Sequence, residues 1–303
     1  MQMQNTHPKN EPMGSGRMRT ENGNDSAMAQ ALGEDCEDTV FSPDRDEAST
    51  NCNQSIAVKD CTVAVTTAPR KDCTLELCLA SIEVSGWNPI VFAEPESTRT
   101  DFWTIENETR LGIWHNWLNS VRWCLENTAT AFILTVQDDS LFHPDSKQFM
   151  DALTWPKNCG FVSLYTPKHY SLIGKSGELR PTGINRIETK SLWGACALFW
   201  SRATLQRVID TPTCRYWLGA KPKSGNLQVI ERRRANPSRI ANSDTAIGKA
   251  MNRLGLGMYF VDPSPVHHVA RFSTISHGDN TGRRNCYRCA DFDIPLAEQV
   301  YGQ

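Results

Sequence analysis

One short stretch constrains this chain more than any other: a run of β-forming residues that ends in two adjacent carboxylates. The apolar run Phe132–Val136 is followed by Gln137 and then by Asp138 and Asp139. Such a run is typical of a strand buried on both faces of a parallel sheet, and ligands of open α/β sheets gather at the carboxyl ends of these strands. Adjacent buried carboxylates repel each other, and a divalent cation with oxygen ligands would remove that cost. A solvated turn is the alternative interpretation, because Asp-Asp-Ser before His-Pro also ends strands.

Composition excludes several classes of protein. The 303 residues suffice for one large domain or two, and a net charge of -2 gives no electrostatic footprint for nucleic acid. No apolar run approaches the roughly 18 residues that a membrane span needs. The N-terminus has neither a basic start nor an apolar core, so it is not a secretory signal. We therefore predict a cytoplasmic protein whose 11 cysteines are mostly reduced thiols.

The chain divides into three regions by composition. Residues 1–58 are polar and acidic with almost no aromatic content, which predicts disorder. Residues 59–275 carry the apolar periodicity of a single folded domain, and residues 276–303 form a polar tail. That tail contains Cys286 and Cys289 in a C-x-x-C arrangement. The pair suggests zinc, but no second pair follows at zinc-ribbon spacing, so this interpretation stays open.

The folded region alternates strands with helices. A strand over Cys61–Thr66, a helix from about residue 72 that Gly86 ends, and a strand over Ile90–Ala93 form a βαβ unit with a parallel strand pair. Further strands are predicted at 132–136, 160–165, 193–200 and 257–261, with helices from Gly112 and at 145–157, 201–209 and 243–254. Residues 96–110 and 166–190 are interpreted as connecting loops outside the sheet. The predicted fold class is α/β, with a Rossmann-like, mixed but mostly parallel sheet flanked by helices.

Several short motifs follow this order of elements. They are Thr66-Thr-Ala-Pro-Arg70 after the first strand, Glu94 after the second, Gln137-Asp138-Asp139, Trp193-Gly194-Ala195, Ser243-Asp244 at a helix start, and Pro265-Val266-His267-His268. In order and spacing, residues 60–275 resemble a nucleotide-sugar-dependent glycosyltransferase of the A-type fold, similar to family 2. The resemblance implies a glycosyltransferase of the hexosyltransferase type. It would move a sugar from a UDP- or GDP-linked donor to a glycan or another hydroxyl acceptor.

The resemblance also implies a metal site for Mn²⁺ or Mg²⁺. Asp139 takes the place of the direct ligand, and Asp138 that of a second ligand or of a contact through water. A late histidine completes the site in this family. The alignment is ambiguous by one residue, and we prefer His268 to His267. A mixed carboxylate and imidazole set suits Mn²⁺ better than Ca²⁺. The family often has an acid where this chain has Gln137, so any contact from that position is in doubt.

Three further residues are implied on the donor side. Arg70 would pair with phosphate or with the base, although a surface arginine that caps a loop is an equal alternative. Glu94 would accept a hydrogen bond from the nucleobase, unless Glu94-Pro95 is a plain turn. Gly194, with Ala195, would let the backbone approach the sugar closely. Trp193 would stack on an acceptor sugar, or else pack in the core.

Asp244 is the implied catalytic residue. At the start of a helix the macrodipole favours its ionised form, and in an inverting enzyme it would deprotonate the acceptor hydroxyl as general base. A plain N-cap in Ser-Asp-Thr is the alternative, and both roles are compatible.

Two rival functions remain at this stage. A nucleotidyltransferase shares the α/β sheet and the metal on carboxylates, but it would carry a Gly-rich loop after the first strand, and residues 66–72 contain no glycine. A non-catalytic sugar- or partner-binding domain of the same fold is the second rival. Retention of both Asp138 and Asp139 argues against it.

Overall fold

The computed structural model describes residues 60–70, 73–173, 177–188, 192–215 and 243–269. The predicted disordered segment 1–58, the tail 276–303 and its pair Cys286 and Cys289 lie outside these residues, so those predictions remain untested. Within the described ranges, no helix combines the length and the apolar character that crossing a bilayer requires.

The described residues form short strands and helices that alternate along the chain. In order they are β1 (Cys61–Thr67), α1 (Leu75–Val84), β2 (Pro89–Ala93), β3 (Thr104–Glu106), α2 (Ile113–Asn127), β4 (Phe132–Gln137), β5 (Ser140–Phe142), α3 (Ser146–Asp151), β6 (Cys159–Ser163), β7 (Leu172–Ile173), β8 (Glu178–Leu179), β9 (Gly183–Arg186), β10 (Ala197–Ser201), α4 (Arg202–Ile209), α5 (Pro212–Arg215), α6 (Ser243–Leu254), β11 (Gly257–Asp262) and β12 (Val266–His268).

The main sheet has eight strands in the order β3-β2-β1-β4-β10-β6-β11-β9. The first four run parallel to one another, and β6 is parallel to β11. β10 is antiparallel to both of its neighbours, and β9 is antiparallel to β11. The predicted fold class, α/β with a mixed and mostly parallel sheet flanked by helices, is therefore confirmed.

Both faces of the sheet are covered, which explains the continuous apolar runs in its strands. Val63 and Val65 of β1 belong to the core cluster that contains the apolar side of α1. Ala64, which points to the other face, belongs to the cluster that contains α2, α4 and α6. The chain thus leaves β1 through α1 on one face and returns through α2 on the other. This places a topological switch point between β1 and β4, where α/β folds open a crevice at the carboxyl ends of the strands.

Two stretches predicted as loops contribute strands to the edges of this sheet. β3, within 96–110, pairs in parallel with β2, and β9, within 166–190, pairs antiparallel with β11. The prediction was wrong for these residues because both strands are short and exposed or half-exposed, and each has a single isoleucine instead of an apolar run. Edge strands pair through their backbones, which leaves little trace in the side-chain pattern.

Two predicted elements are shorter than the sequence indicated. The helix expected over 145–157 covers only Ser146–Asp151. Pro156 disfavours helical geometry at Trp155, whose ring instead packs edge-on against Phe132 and Phe199. The strand expected over 193–200 begins at Ala197, because the residues before it form the turn that enters β10.

Candidate active site

The two acids that follow β4 lie beside the residues that follow β1. β1 and β4 are neighbouring parallel strands with Thr66 opposite Gln137, so their carboxyl ends meet at one edge. Arg70 reaches across this edge and pairs with both acids. Its Nη1 donates to Asp139 Oδ2 at 3.1 Å, and its Nη2 donates to Asp138 Oδ1. The guanidinium therefore neutralises part of the charge that the sequence places here.

Asp138 is held by the chain itself. The Thr67 hydroxyl donates to its Oδ2 at 2.5 Å, while its Oδ1 accepts from Arg70. Burial raises the pKa of Asp138 to about 7; the positive charge of Arg70 opposes the rise, and the negative charge of Asp139 adds to it. Each oxygen of Asp138 therefore accepts a hydrogen bond from the chain, and through one of these bonds Asp138 positions Arg70. Its predicted contact with metal or donor remains a prediction.

His268 reaches Asp139 through a two-stranded ribbon that the sequence did not reveal. β5 begins immediately after Asp139 and pairs antiparallel with β12, so that Ser140 lies opposite His268. The His268 Nε2 atom is 3.2 Å from Asp139 Oδ2, and the Val269 N–H donates to the Asp139 carbonyl at 2.9 Å. His267 points to the opposite side of the strand, since side chains alternate. The structure brings His268, and not His267, to Asp139.

The side-chain contacts of Asp139 with Arg70 and His268 are both made by one of its oxygens, Oδ2. Burial alone would raise its pKa, but His268 and Arg70 outweigh burial and hold the pKa of this carboxyl well below its usual range. Of the two competing acids, Asp139 is thus the one that keeps its negative charge. Its Oδ1 is buried and has no hydrogen-bond partner among the residues described. A buried carboxylate oxygen without a partner is costly, and a cation would satisfy it.

A thiol that the sequence analysis did not single out completes this cluster. Because β10 runs antiparallel to β4, its first residues lie at the carboxyl edge, with Cys196 directly before the strand. Asp139, Cys196 and His268 each offer one ligand atom, and these atoms lie within 4.8 Å of one another. Together with the unsatisfied Asp139 oxygen, this donor set fits a divalent metal ion. The sequence does not reveal the direction of β10, so it gives no signal that Cys196 lies at this edge.

Asp244 binds the backbone of the segment that precedes β10. Its Oδ2 accepts from the Gly194 N–H and its Oδ1 from the Ala195 N–H, both at 3.0 Å. Asp244 lies in the first turn of α6, as the sequence predicted. The contact joins the two motifs proposed for catalysis and sugar approach. The role of Asp244 as a proton acceptor and the contact of Gly194 with a sugar donor remain predictions.

Gly194 cannot be replaced without strain. Its φ of +77° lies in the left-handed region, and a Cβ there would lie 2.6 Å from Cε1 of Tyr165. Gly194→Ala is expected to lower the free energy of unfolding by about 1–3 kcal/mol more than Gly177→Ala. Gly177 is the matched control, with a φ of +74° and nothing within 4 Å of the added atom. Urea unfolding of both variants measures the difference; equal losses would contradict a steric role of the Tyr165 ring.

Glu94 is buried, and both of its side-chain oxygens accept hydrogen bonds from the chain. Its two oxygens accept the backbone N–H groups of Leu111 and Gly112, each at 2.8 Å, at the start of α2. Burial raises the pKa of Glu94, and these two hydrogen bonds oppose the rise. Glu94 therefore fixes the loop between β3 and α2. Its predicted contact with a nucleobase stays a prediction.

Trp193 is exposed rather than in the core. The residue is 59% exposed, and its ring meets His169 edge-on, with the ring centroids 5.8 Å apart. The Tyr170 hydroxyl accepts the Trp193 N–H at 2.9 Å and so fixes the backbone that carries the ring. An exposed, positioned indole next to Gly194 offers a flat apolar surface at the edge of the site.

Arg70 is expected to be essential for stability. Arg70→Met should lower the free energy of unfolding by about 3–5 kcal/mol, because it leaves two buried acids without their shared cation. The double variant Arg70→Met, Asp138→Asn should recover part of this loss. Urea unfolding in a chelator, so that no divalent ion replaces the guanidinium, is the measurement. Arg99→Met, at an exposed arginine, is the control. A loss below about 1 kcal/mol would contradict the ion pairs.

Comparisons with known proteins find similarity in structure and none in sequence. No protein-family model matches the sequence, and no curated protein matches it. Among solved structures, a mannosyltransferase from Pyrobaculum calidifontis in complex with GDP-Man and Mn²⁺ is similar, at 16% sequence identity and a TM-score of 0.35. The match covers 64% of this chain and 69% of that chain.

Proposed function

We propose that the protein is a metal-dependent glycosyltransferase of the hexosyltransferase type, which moves a sugar from a nucleoside-diphosphate donor to a hydroxyl acceptor. The observation that carries the proposal is the buried Asp139 Oδ1, which has no hydrogen-bond partner in the described part of the chain. Asp139 itself forms a cluster with His268 and Cys196. This cluster stands at the carboxyl ends of β1 and β4, at the switch point of the sheet. Donors of this chemistry are bound at such crevices in α/β folds.

A nucleoside diphosphate that leaves a sugar carries developing negative charge, which Arg70 and a bound metal ion would stabilise. Arg70 holds a positive charge at this edge, and its buried Nε has no hydrogen-bond partner among the described residues. Asp139 and His268 are the proposed residues for Mn²⁺ or Mg²⁺. When bound, the metal would supply electrostatic stabilisation of the diphosphate. The donor nucleotide is UDP or GDP.

The acceptor side is proposed to lie at Trp193 and Asp244. Asp244 fixes the backbone beside Trp193, because its two oxygens accept the N–H groups of Gly194 and Ala195. In an inverting reaction, Asp244 would accept the proton of the attacking hydroxyl. Trp193 would present its indole face to a sugar ring. The acceptor is a glycan or another hydroxyl compound.

A non-catalytic sugar-binding domain is the second candidate, because one observation favours it. Arg70 already pairs with Asp138 and Asp139, so the two acids do not depend on a metal for all of their compensation. Such a domain would bind a nucleotide or sugar equally well with and without Mn²⁺.

The test is calorimetric titration of the wild-type protein with UDP and with GDP, each with and without Mn²⁺. The proposed function requires that one nucleotide bind more tightly with Mn²⁺, and that a matching nucleotide sugar be slowly hydrolysed. Binding that is insensitive to Mn²⁺, without hydrolysis, would favour the non-catalytic domain. A cytoplasmic location stays a prediction.

A further inference from the structure

Cys196 places sulfur in the candidate metal site. Its side chain is 3% exposed, and its backbone is fixed at the edge because its carbonyl accepts from the Gln137 N–H at 2.7 Å and from the Ser140 hydroxyl at 3.2 Å. Gln137 and Ser140 flank the two acids. The residue is therefore anchored on both sides of Asp138 and Asp139.

The ligand atoms are close enough to meet on one ion. In a tetrahedral zinc site the metal lies about 2.0–2.3 Å from its ligands, so neighbouring ligand atoms are roughly 3.3–3.8 Å apart. The candidate atoms of Asp139, Cys196 and His268 are within 4.8 Å of one another. The upper bound of 4.8 Å is about 1 Å above that spacing, so the three atoms lie near the separation that one shared ion requires.

The kind of donor atom decides which metal such a site prefers. Mg²⁺ and Mn²⁺ favour oxygen ligands, whereas thiolate ligands select softer ions such as Zn²⁺. Carboxylate, imidazole and thiolate groups all bind zinc, and catalytic zinc sites use three protein ligands and leave a fourth position open to water or substrate. On binding, the thiol loses its proton to the solvent and the thiolate coordinates the ion.

We propose that Asp139, Cys196 and His268 form a thiophilic metal centre, in which Cys196 shifts the preference from Mn²⁺ and Mg²⁺ towards Zn²⁺. This proposal deepens the proposed function, because it assigns the identity of the metal at the same site. It does not depend on nucleotide binding. The two ideas can therefore fail separately.

The first experiment titrates the full-length protein with Co²⁺ alone, without nucleotide. Cys286 and Cys289 are replaced with serine in every variant, so that the C-terminal pair contributes no sulfur. We expect a near-ultraviolet sulfur-to-cobalt charge-transfer band that is lost in Cys196→Ser and retained in Cys78→Ser. Cys78 is the matched control: its thiol is also buried and lies 3.8 Å from the Gln137 carbonyl. A band that survives in Cys196→Ser, or no band in the parent protein, overturns the proposal.

The second experiment compares affinities for Zn²⁺ and Mn²⁺ by competition with a chromophoric chelator. The ratio of the Zn²⁺ affinity to the Mn²⁺ affinity should fall at least about tenfold in Cys196→Ser, because a sulfur ligand favours Zn²⁺. An unchanged ratio overturns the proposal.

A third measurement covers the case in which Cys196→Ser does not fold. X-ray absorption of the zinc-loaded parent protein should show one sulfur at about 2.3 Å, and a shell of nitrogen and oxygen alone overturns the proposal. If Mn²⁺-dependent nucleotide binding is intact while these tests fail, the proposed function stands and only the sulfur ligand is rejected.

Discussion

Asp139→Ala is expected to abolish the Mn²⁺-dependent part of nucleotide binding and to weaken metal binding by at least about 100-fold. Even the outer partners of metal ligands are worth about 10–100-fold in metal affinity, and Asp139 is proposed as a direct ligand. Its Oδ1 is the buried oxygen without a hydrogen-bond partner in the described chain. Calorimetric titration of Mn²⁺, and then of GDP or UDP in its presence, measures both effects.

Two controls make this experiment decisive. Asp145→Ala removes a carboxylate that follows the next strand, β5, and whose side chain is 73% exposed, so this variant should bind as the wild type does. Asp139→Asn keeps the shape of the side chain and guards against misfolding, which thermal unfolding monitors. Metal-dependent binding that is unaffected in both Asp139 variants would reject Asp139 as a ligand.

The part of the site that lies on parallel strands was predictable from the sequence. Parallel strands end at one edge, so apolar runs that end in Arg70, Glu94 and Asp138-Asp139 are expected to share that edge. The structure places all four residues there, and it brings Arg70 into contact with both aspartates. The fold class followed from the same alternation of apolar runs and helical periodicity.

The part that depends on strand direction was not predictable. An apolar run such as Ala197–Ser201 carries no signal for parallel or antiparallel pairing, because both faces are buried either way. Its antiparallel direction is what brings Cys196 and Gly194 to the site. The ribbon of β5 and β12 was missed for a similar reason. Its pairing joins residues more than 120 positions apart and rests on three residues in each strand.

The structure also changes the interpretation of how the charges of the two adjacent acids are compensated. Two buried carboxylates require a compensating cation, and a metal ion is one of the interpretations that the sequence leaves open for this role. The structure supplies a guanidinium within the chain, and it ties Asp138 to Arg70 and Thr67. The need for a further cation is therefore confined to one carboxylate oxygen. It concerns the single oxygen Asp139 Oδ1, which has no hydrogen-bond partner among the described residues.

Asp244→Asn is expected to lower kcat by about 10²–10⁴-fold while Mn²⁺-dependent nucleotide binding changes little. This is the range that positioned general bases contribute. Steady-state transfer kinetics and calorimetric titration of the donor nucleotide measure the two parts. Weakened nucleotide binding instead would mean that Asp244 belongs to the donor side.

The backbone contacts of Asp244 offer a competing explanation for any loss. Its oxygens accept from the Gly194 and Ala195 N–H groups, and asparagine would turn an amide NH₂ towards one of these donors. Gly194→Ala separates the two roles, because it displaces the same segment while the carboxylate stays intact. A general base predicts that Asp244→Asn loses the acid limb of the pH–rate profile and far more kcat than Gly194→Ala, which keeps that limb. Equal losses of kcat with unchanged pH profiles would reduce Asp244 to a positioning residue, since only a group that accepts the proton makes the rate depend on its own ionisation.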